Sequence, residues 1–402
     1  MKLIEITPAT GSRIFHDVAR TIYVGDPNWI APLDMEVEAV FDPSKNSSFR
    51  HGEAIRWVLQ DDGGRAIGRI AAFVDQSKAE RKDPREGGLG FFECLDDQSA
   101  ADFMFNAART WLAARGVEAM DGSVNFGANF NFWGVLVEGF MPQAYGMPYH
   151  KPYYARLFES FGFREYYRQF SYHIDLSVPF PARMVKFAEH LMKKPGYTFR
   201  HYEKKDAARY VRDLVEIVNI TWADYMEDYQ PVSASEIALI MKAAEPVIIE
   251  DFIWFAYKEE KPIGVVVAFP DVNQVLARFN GRLSFLQGLR FLQLKAGKTI
   301  TRNRVLLAGV VPAFQNSGVI GPLFLKFVHA VHTRPQYREI ELSWVGDFNP
   351  RMRKVYEQIG AVQKKVHATY RFLFDPNRPF VRFTNEGGNS ALRREAVAKT
   401  IS

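Results

Sequence analysis

Cysteine and long apolar runs are almost absent from this sequence. Its single cysteine is Cys94, which excludes an internal disulfide and favours a reducing compartment. No apolar segment approaches the roughly 18 residues that a transmembrane helix needs, and residues 1–8 lack the apolar core of a signal peptide. The spacing of the histidines and the cysteine matches no zinc-site pattern, so no metal is expected. We therefore expect a cytoplasmic protein.

Acidic residues are missing from one long stretch of the chain. Residues 272–338 contain no Asp or Glu, although ten of the 51 basic residues lie there. These basic residues are Arg278, Arg282, Arg290, Lys295, Lys298, Arg302, Arg304, Lys326, Arg334 and Arg338. Such a stretch suits phosphates, whether of a cofactor, a lipid headgroup or a nucleic acid. We expect a phosphate-bearing partner, but not DNA.

The composition and an internal repeat predict the fold class. With 402 residues and 47% hydrophobic residues, the chain is expected to form two or three globular domains. Segments 54–75 and 252–271 both predict a β-hairpin, and each ends in Ala-Phe-x-Asp. A second similarity links 157–163 with 355–361. Two shared segments at nearly the same separation indicate two copies of one α/β unit.

The stretch 305–321 predicts a strand, a polar turn and a helix. An apolar run of strand length ends at Pro312, and helical spacing resumes after Pro322. The turn contains Gly318 and Gly321, and it would present backbone N–H groups at a helix N-terminus, which suits a pyrophosphate. It matches neither a Walker loop nor a dinucleotide-binding fingerprint. A strand, turn and helix without any ligand is the alternative interpretation.

The pattern Val-x-Pro-x-x-Gln-x-x-Gly in this stretch resembles the acyl-CoA loop of the GNAT N-acyltransferase superfamily. That loop has Gln/Arg-x-x-Gly-x-Gly/Ala, and here Ile320 stands at the last small position, with Gly321 one place later. Sequences similar to those of a tandem GNAT family of proteobacterial type lie at 26–29, 68–72, 90–93, 137–140, 153–159 and 341–344. The bacterial ceramide synthases of this superfamily are candidate relatives.

The resemblance implies a mixed α/β (α+β) fold with two tandem GNAT-like domains. Each domain would be a mixed, mostly antiparallel sheet flanked by helices. We expect an N-terminal domain at 1–175 with a degenerate cofactor loop, a linker at 176–199, and a C-terminal domain at 200–374 with the acyl-CoA loop. A polar tail would follow at 375–402.

The resemblance also implies that an acyl-CoA thioester is the co-substrate. The main-chain N–H of Val310 or Val311 would polarise the thioester carbonyl. The residues implied to bind the cofactor are Val310, Val311, Gln315, Asn316, Ser317, Gly318, Val319, Ile320, Gly321 and Asn349.

Tyr356 occupies the position at which the family has a tyrosine that protonates the departing thiolate. An ordinary tyrosine is protonated at neutral pH and can donate to a thiolate of similar basicity; a structural ring is the alternative. Glu341 and Asp347 are candidate bases, with Glu93 as their counterpart in the first copy. Each carboxylate could equally form a salt bridge or cap a helix, and aminolysis of a thioester mostly needs positioning, so one strong base is not required.

The first copy lacks the loop glycine and has Phe158 where the second has Tyr356, so we expect it to be non-catalytic and to shape the acceptor site. A polar and aromatic set in this copy suits a polar headgroup. A self-bonding, Asx-rich loop is the alternative. The predicted substrate-binding residues are Asn125, Asn129, Asn131, Tyr149, Tyr153 and Tyr154.

The insertion 278–304 is both apolar and basic, and it separates this chain from acetyltransferases of small metabolites. It could contact the inner-membrane surface, line a tunnel for a long acyl chain, or bridge the two copies. The first functional hypothesis is transfer of a long acyl group from CoA to a lipid-like, sphingoid amine. The alternatives are transfer to a small soluble amine, an aminoacyl-tRNA-dependent reaction, and a non-catalytic scaffold that binds CoA.

Overall fold

The computed structural model describes residues 1–127, 131–225 and 231–384. The strands are β1 (Lys2–Glu5), β2 (Gly52–Gln60), β3 (Ala66–Asp75), β4 (Glu86–Cys94), β5 (Ala119–Gly122), β6 (Val135–Glu138), β7 (Arg164–Asp175), β8 (Tyr197–His201), β9 (Ile253–Lys258), β10 (Lys261–Pro270), β11 (Arg302–Val310), β12 (Glu339–Gly346) and β13 (Val362–Leu373). The helices are α1 (Arg13–Ile22), α2 (Asp34–Val40), α3 (Gln76–Ala79), α4 (Gln98–Ala113), α5 (Tyr154–Phe161), α6 (Ala182–Met192), α7 (Ala207–Tyr225), α8 (Ala234–Ala244), α9 (Asn273–Leu276), α10 (Phe285–Ala296), α11 (Ile320–His332) and α12 (Pro350–Gln358).

The described chain divides into two units by its contacts. Unit 1 contains Met1–Phe170, Val275–Ala296 and Lys364–Phe383, and unit 2 contains Ser171–Gln274 and Gly297–Gln363. Two segments of the expected C-terminal domain therefore belong to unit 1, and the expected linker belongs to unit 2. The division into domains at 175 and 200 stays a prediction.

Unit 1 contains a mixed sheet in the order β1-β2-β3-β4-β5-β13-β7, and β6 also pairs with β13. The expected first hairpin is formed by β2 and β3, which pair antiparallel from Gly52 with Asp75 to Gln60 with Ala66. Helix α4 begins at Gln98, because the Asp97 side chain caps it by accepting a hydrogen bond from the N–H of Ala100 at 3.1 Å. A buried aromatic cluster that includes Phe92, Phe105 and Phe158 fills the core of this unit.

Unit 2 contains a mixed sheet in the order β7-β12-β11-β10-β9-β8, in which β8 to β11 pair antiparallel. Gly264 lies opposite Val310, and Val265 lies opposite Gly309, so Gly264 and Gly309 point to opposite faces of the sheet. A Cβ on Gly264 would contact Leu323 of α11, and a Cβ on Gly309 would contact Trp222 of α7. Helices α11 and α7 therefore cover opposite faces, as the GNAT fold implies.

A buried ionic network lies at the start of β11 and β12 in unit 2. Arg302 bonds to Asp271 at 2.6 Å and lies 3.6 Å from Glu341, which is 0% exposed. His173 lies 3.2 Å from the same Glu341 carboxylate. Burial alone would lower the pKa of the Arg302 guanidinium, but the carboxylates of Asp271 and Glu341 raise it above its usual range. The network fixes the paired ends of these strands.

Candidate functional site

The two central strands of unit 2 separate in the middle of the sheet. Parallel pairing of β11 with β12 runs from Arg302 with Glu339 to Val305 with Leu342 and then stops, although both strands continue. Central strands covered by helices on both faces are normally buried throughout. Here the residues just beyond the last pair are partly exposed. They are Leu306, Leu307, Ala308, Ser343 and Trp344. The separated strands thus leave an accessible opening, which we call the slot.

One backbone amide at the end of β11 faces the slot. The N–H of Val311 donates to the carbonyl of Ile263 on β10 at 2.9 Å. Successive amides of a strand point to opposite sides, so the N–H of Val310 points away from β10 and toward the slot. The Val310 carbonyl, on the same side, accepts a hydrogen bond from Gln315 Nε2 at 3.3 Å. Of the two predicted donors, Val311 is occupied by the sheet and Val310 is not.

The loop between β11 and α11 presents several unpaired N–H groups. The amides of Phe314, Gln315 and Ser317 donate to carbonyls within the turn. No acceptor among the described residues lies within hydrogen-bond range of four further amides in the loop. These amides belong to Asn316, Gly318, Val319 and Ile320. They lie at the N-terminus of a 13-residue helix, whose dipole favours a negative charge. The loop therefore has the donors that a diphosphate requires.

Two side chains outside the loop help to shape it. Arg351 of α12 donates to Gln315 Oε1 at 2.7 Å and places a positive charge beside the loop. Phe187 of α6 packs on Gly318, because a Cβ there would lie 2.3 Å from a ring carbon. Gly318 itself has φ +79°, a left-handed conformation that favours glycine. Sequence analysis did not identify Arg351 or Phe187, and for Phe187 no local pattern reveals the contact.

The remaining predicted loop residues have structural partners. The Ser317 hydroxyl donates to the Phe314 carbonyl at 2.6 Å. The Asn349 side chain caps α12 by accepting from the N–H of Met352 at 3.0 Å. Gly321 lies against Met184 and Phe187 of α6. These residues hold the loop and its neighbouring helix in place, and ligand binding by their side chains stays a prediction.

Tyr356 lies in the interior of unit 2, with 4% of its surface exposed. Its ring packs edge-on against Tyr172 at 5.3 Å and against Phe324 of α11 at 6.3 Å. Burial, and to a lesser extent Tyr172, raise the pKa of the Tyr356 hydroxyl well above its usual range. Its hydroxyl makes no hydrogen bond to another described residue, and the raised pKa keeps it protonated at neutral pH.

The candidate bases differ in their surroundings. Glu341 is fully buried and takes part in the ionic network with Arg302. Asp347 is half-buried and follows β12 directly. In unit 1, burial raises the pKa of the Glu93 carboxyl, although Arg69 and Tyr154 act in the opposite direction. Glu93 accepts a hydrogen bond from the Tyr154 hydroxyl at 2.7 Å.

Unit 1 provides an internal comparison for the slot. Its strands β4 and β5 also pair in parallel and stop after Gly88 with Asp121. Every residue of β4 from Gly88 onward is nevertheless buried. The N–H of Val124 donates to the Leu89 carbonyl at 2.9 Å, and a Cβ on Gly90 would lie 2.3 Å from the Val124 carbonyl oxygen. The equivalent opening is therefore filled by the chain itself.

The helix that follows β4 is also unsuited to an anion. The Asp97 side chain occupies the N-terminus of α4, where it accepts from the N–H of Ala100. A carboxylate at this position satisfies the amides and repels phosphate. Phe158, at the position equivalent to Tyr356, is fully buried and has no proton to give. Unit 2 is the unit with the open slot.

The predicted substrate-binding residues lie in unit 1 and make contacts within it. The Tyr149 hydroxyl donates to Asp26 at 3.2 Å, the Tyr153 hydroxyl to the Cys94 carbonyl at 2.8 Å, and the Tyr154 hydroxyl to Glu93. Asn125 and Asn131 are half-buried. Asn129 lies outside the described residues. A role in substrate binding stays a prediction for this set.

The basic insertion forms helix α10, which has no buried residue. Phe285 is 80% and Leu286 is 74% exposed, and Leu289 and Leu292 are each at least half exposed. Arg290 is exposed on the same helix, and Arg282 and Lys298 are exposed beside it. No helix within the described ranges combines the length and apolarity needed to cross a membrane.

The sequence comparisons identify two relatives over most of the chain. No family model matches the sequence. The chain is 30% identical over 372 residues to the bacterial ceramide synthase of Caulobacter vibrioides, covering 90% of this chain and 95% of that protein. It is 27% identical over 355 residues to Protein YghO of Escherichia coli, covering 87% of this chain and 90% of the relative.

Solved structures confirm the predicted fold. A tandem GNAT protein from the clavulanic acid biosynthesis pathway has a TM-score of 0.56 at 12% identity and covers 94% of this chain and 99% of its own. A GCN5-related glucosamine N-acetyltransferase region of a fungal multi-domain β-N-acetylglucosaminidase has a TM-score of 0.55 at 12% identity. It covers 92% of this chain and 38% of that chain. At this identity the likeness shows the fold alone, which is that of tandem GNAT domains.

Substitution of the loop glycine tests the anion site. We expect Gly318→Ala to weaken coenzyme A binding at least about tenfold, because the strained φ and the clash with Phe187 would displace the free amides. Calorimetric titration of the full chain with coenzyme A measures this change. The control is Gly288→Ala in α10, where a Cβ meets nothing within 4 Å. Equal affinity of Gly318→Ala and wild type would contradict the site.

Proposed function

Because the chain belongs to the bacterial ceramide synthase family of tandem GNAT N-acyltransferases, we propose that it transfers a long acyl group from a CoA thioester to a lipid-like, sphingoid amine. The donor assignment rests on the slot of unit 2, which the Val310 amide faces. It also rests on four amides of the adjoining loop that have no partner among the described residues. The chemistry of these groups fits a diphosphate followed by a thioester. The acceptor assignment follows the name of the relative in Caulobacter vibrioides.

The loop and the slot would hold the donor at two points. The amides of Asn316, Gly318, Val319 and Ile320 would bind the diphosphate, and Arg351 would add a compensating charge beside it. The Val310 N–H would donate to the thioester oxygen and stabilise the negative charge that develops during attack. Holding the donor at both ends positions the carbonyl carbon for an incoming nitrogen.

The reaction forms a C–N bond and breaks the C–S bond. The attacking amine must be neutral and releases a proton after attack, and the departing sulfur must gain one. Tyr356 is the proposed donor to sulfur, since its raised pKa keeps the hydroxyl protonated. Glu341 is not the favoured base, because it is fully buried and engaged with Arg302. Asp347 is the remaining carboxylate of the prediction, and positioning contributes the larger part of the rate.

The substrate proposal predicts a preference for long acyl chains. Purified full-length protein, a long-chain sphingoid base and acyl-CoAs of graded length should give thiol release that rises from acetyl to long acyl groups, because each buried methylene contributes roughly 0.8 kcal/mol. Thiol release is measured colorimetrically, and the amide product by mass spectrometry. A preference for acetyl-CoA, or activity only with a small soluble amine or an aminoacyl-tRNA, would contradict the proposal.

Removal of the Tyr356 hydroxyl tests its role as an acid. We expect Tyr356→Phe to lower kcat about a hundredfold or more, with little change in KM for acyl-CoA, because only proton transfer is lost. Since the pKa of Tyr356 is raised, its loss of a proton should not reduce the wild-type rate up to about pH 10. The pH–rate profile of kcat measures this. An unchanged kcat in Tyr356→Phe would assign the ring a packing role.

We also propose that α10 contacts an anionic membrane surface. Its exposed apolar residues, Phe285, Leu286, Leu289 and Leu292, would enter the interface, and neighbouring Arg and Lys side chains would bind phosphates. The lack of any acidic residue in 272–338 supports this arrangement, since no carboxylate of this stretch would repel the lipid. The enzyme would bind a lipid-like acceptor from that membrane surface.

Vesicle binding tests the membrane proposal. The wild type should sediment with vesicles of phosphatidylcholine and phosphatidylglycerol, and less at high salt, because the basic side chains provide part of the attraction. The double variant Phe285→Ser, Leu286→Ser should bind at least about tenfold more weakly. The matched control is Leu239→Ser, Ile240→Ser in α8, whose side chains are 69% and 56% exposed. Equal loss in both variants would contradict a specific role for α10.

A further inference from the structure

The chain that leads into α10 is fixed to helices α1 and α2 of unit 1. Phe279 is buried, and the next two residues, Asn280 and Gly281, form a turn with φ values of +48° and +77°. The N–H of Asp34 donates to the Gly281 carbonyl at 2.8 Å. Arg20 Nε donates to the Asn280 carbonyl at 3.1 Å. Two consecutive carbonyls of this turn are therefore bonded to the N-terminal part of the chain.

Arg20 is the centre of this contact, which we call the clamp: Arg20, Asp34, Asn280 and Gly281. The guanidinium also donates to the Asp34 carboxylate, and the Arg20 side chain is only 11% exposed. A Cβ on Gly281 would lie 2.6 Å from the Pro32 carbonyl oxygen and 2.8 Å from the Arg20 guanidinium. Because a planar guanidinium bonds to several acceptors in a fixed geometry, the clamp holds the turn in one position.

The clamp joins two exposed apolar segments of unit 1. Leu283 is 42% exposed, and no residue of the following helix α10 is buried. Met35 directly follows the clamp residue of α2 and is 63% exposed. Glu36, the next residue, is partly buried and accepts a hydrogen bond from the Tyr145 hydroxyl. The start of α2 therefore lies beside the start of α10, although the two come from distant parts of the chain.

The charges around the clamp suit an anionic surface. Asp17 lies 3.0 Å from Arg20. Glu38 accepts two hydrogen bonds of 2.7 Å from Arg56. These carboxylates of α1 and α2 are thus engaged with cations of the same unit. Arg282, which directly follows the clamp, keeps 54% of its side chain exposed and can reach a phosphate.

We infer that the membrane-binding surface of this protein contains Met35 of α2 as well as the exposed side of α10, and that the clamp holds these segments beside each other. A surface built from two segments buries more apolar area in the lipid than one helix does. An α10 without the clamp would lose more conformational freedom on binding, so its affinity would be lower. This inference rests on the proposed membrane contact and adds the residues that position it.

Two glycine substitutions separate placement from composition. Gly281→Ala removes no charge and no apolar group, but its Cβ would meet the Pro32 carbonyl oxygen and displace the turn. We expect it to lower binding of the full chain to vesicles of phosphatidylcholine and phosphatidylglycerol at least about fivefold. The control, Gly288→Ala, lies in α10 itself, where a Cβ meets nothing within 4 Å, and should bind like wild type. Equal binding of the two variants would overturn the inference.

Side-chain variants test the clamp and Met35 separately. Arg20→Ala should weaken vesicle binding at least about fivefold. Arg13→Ala removes the same charge from an 83% exposed site on the same helix and should have a much smaller effect. Met35→Ser should weaken binding at least about threefold. Phe103→Ser should not, since Phe103 lies on α4, which covers the opposite face of the sheet from α1. Equal effects within either pair would contradict the inference.

The readouts distinguish this inference from the proposed function. Absence of thiol release by the wild type with every acyl-CoA and amine would refute acyl transfer alone. Absence of vesicle binding by the wild type would refute the membrane contact and this inference with it. Hydrogen–deuterium exchange should become faster in peptides that cover 278–284 of Arg20→Ala and stay unchanged in peptides that cover 88–98, which also shows that the variant is folded. If Arg20→Ala does not fold, Arg20→Lys carries the test, because it keeps the charge and loses the fork of hydrogen bonds. Wild-type vesicle binding by a folded Arg20→Lys would then overturn the inference.

Discussion

Parallel pairing between β11 and β12 stops after Val305 and Leu342, and the proposed chemistry depends on the backbone groups that this interruption leaves free. A continuous ladder would bond the Val310 amide to β12 and bury the middle of both strands. The ionic network around Arg302 and Glu341 holds the paired ends together, while the β10 ladder holds β11 from its other side. The rigid sheet therefore holds β11 and β12 apart. This would keep the Val310 amide in a fixed position before the reaction begins.

The two units show how one arrangement can be open or closed. Both contain parallel strands that pair briefly and then separate, followed by a helix. In unit 1 the chain at Val124 fills the opening, and Asp97 occupies the helix N-terminus. In unit 2 four loop amides have no partner in the described part of the chain, and Tyr356 stands where unit 1 has Phe158. These three local differences support the proposal that unit 2 holds the acyl donor.

The sequence predicted the features that depend on local pattern. The alternating hairpins, the strand before Pro312 and the helix after it all follow from residue spacing, and the tandem GNAT fold is confirmed. Contacts between distant segments could not be predicted. The packing of Phe187 on Gly318 joins residues 131 positions apart, and the contact between Arg302 and Glu341 joins two different strands. The tyrosines of unit 1 were predicted to bind substrate, and the sequence could not show that their hydroxyls bond to Asp26 and Glu93, which lie far away along the chain.

In the proposed function, the slot and the loop beside it hold the acyl donor for transfer to an apolar acceptor. Hydrogen–deuterium exchange of the full chain, with and without a nonhydrolysable acyl-CoA analogue, tests this account most directly. The account predicts slower exchange in peptides that cover 306–320 and no change in peptides that cover 88–98. Protection of 88–98 instead, or no protection of 306–320 at a saturating concentration, would contradict it.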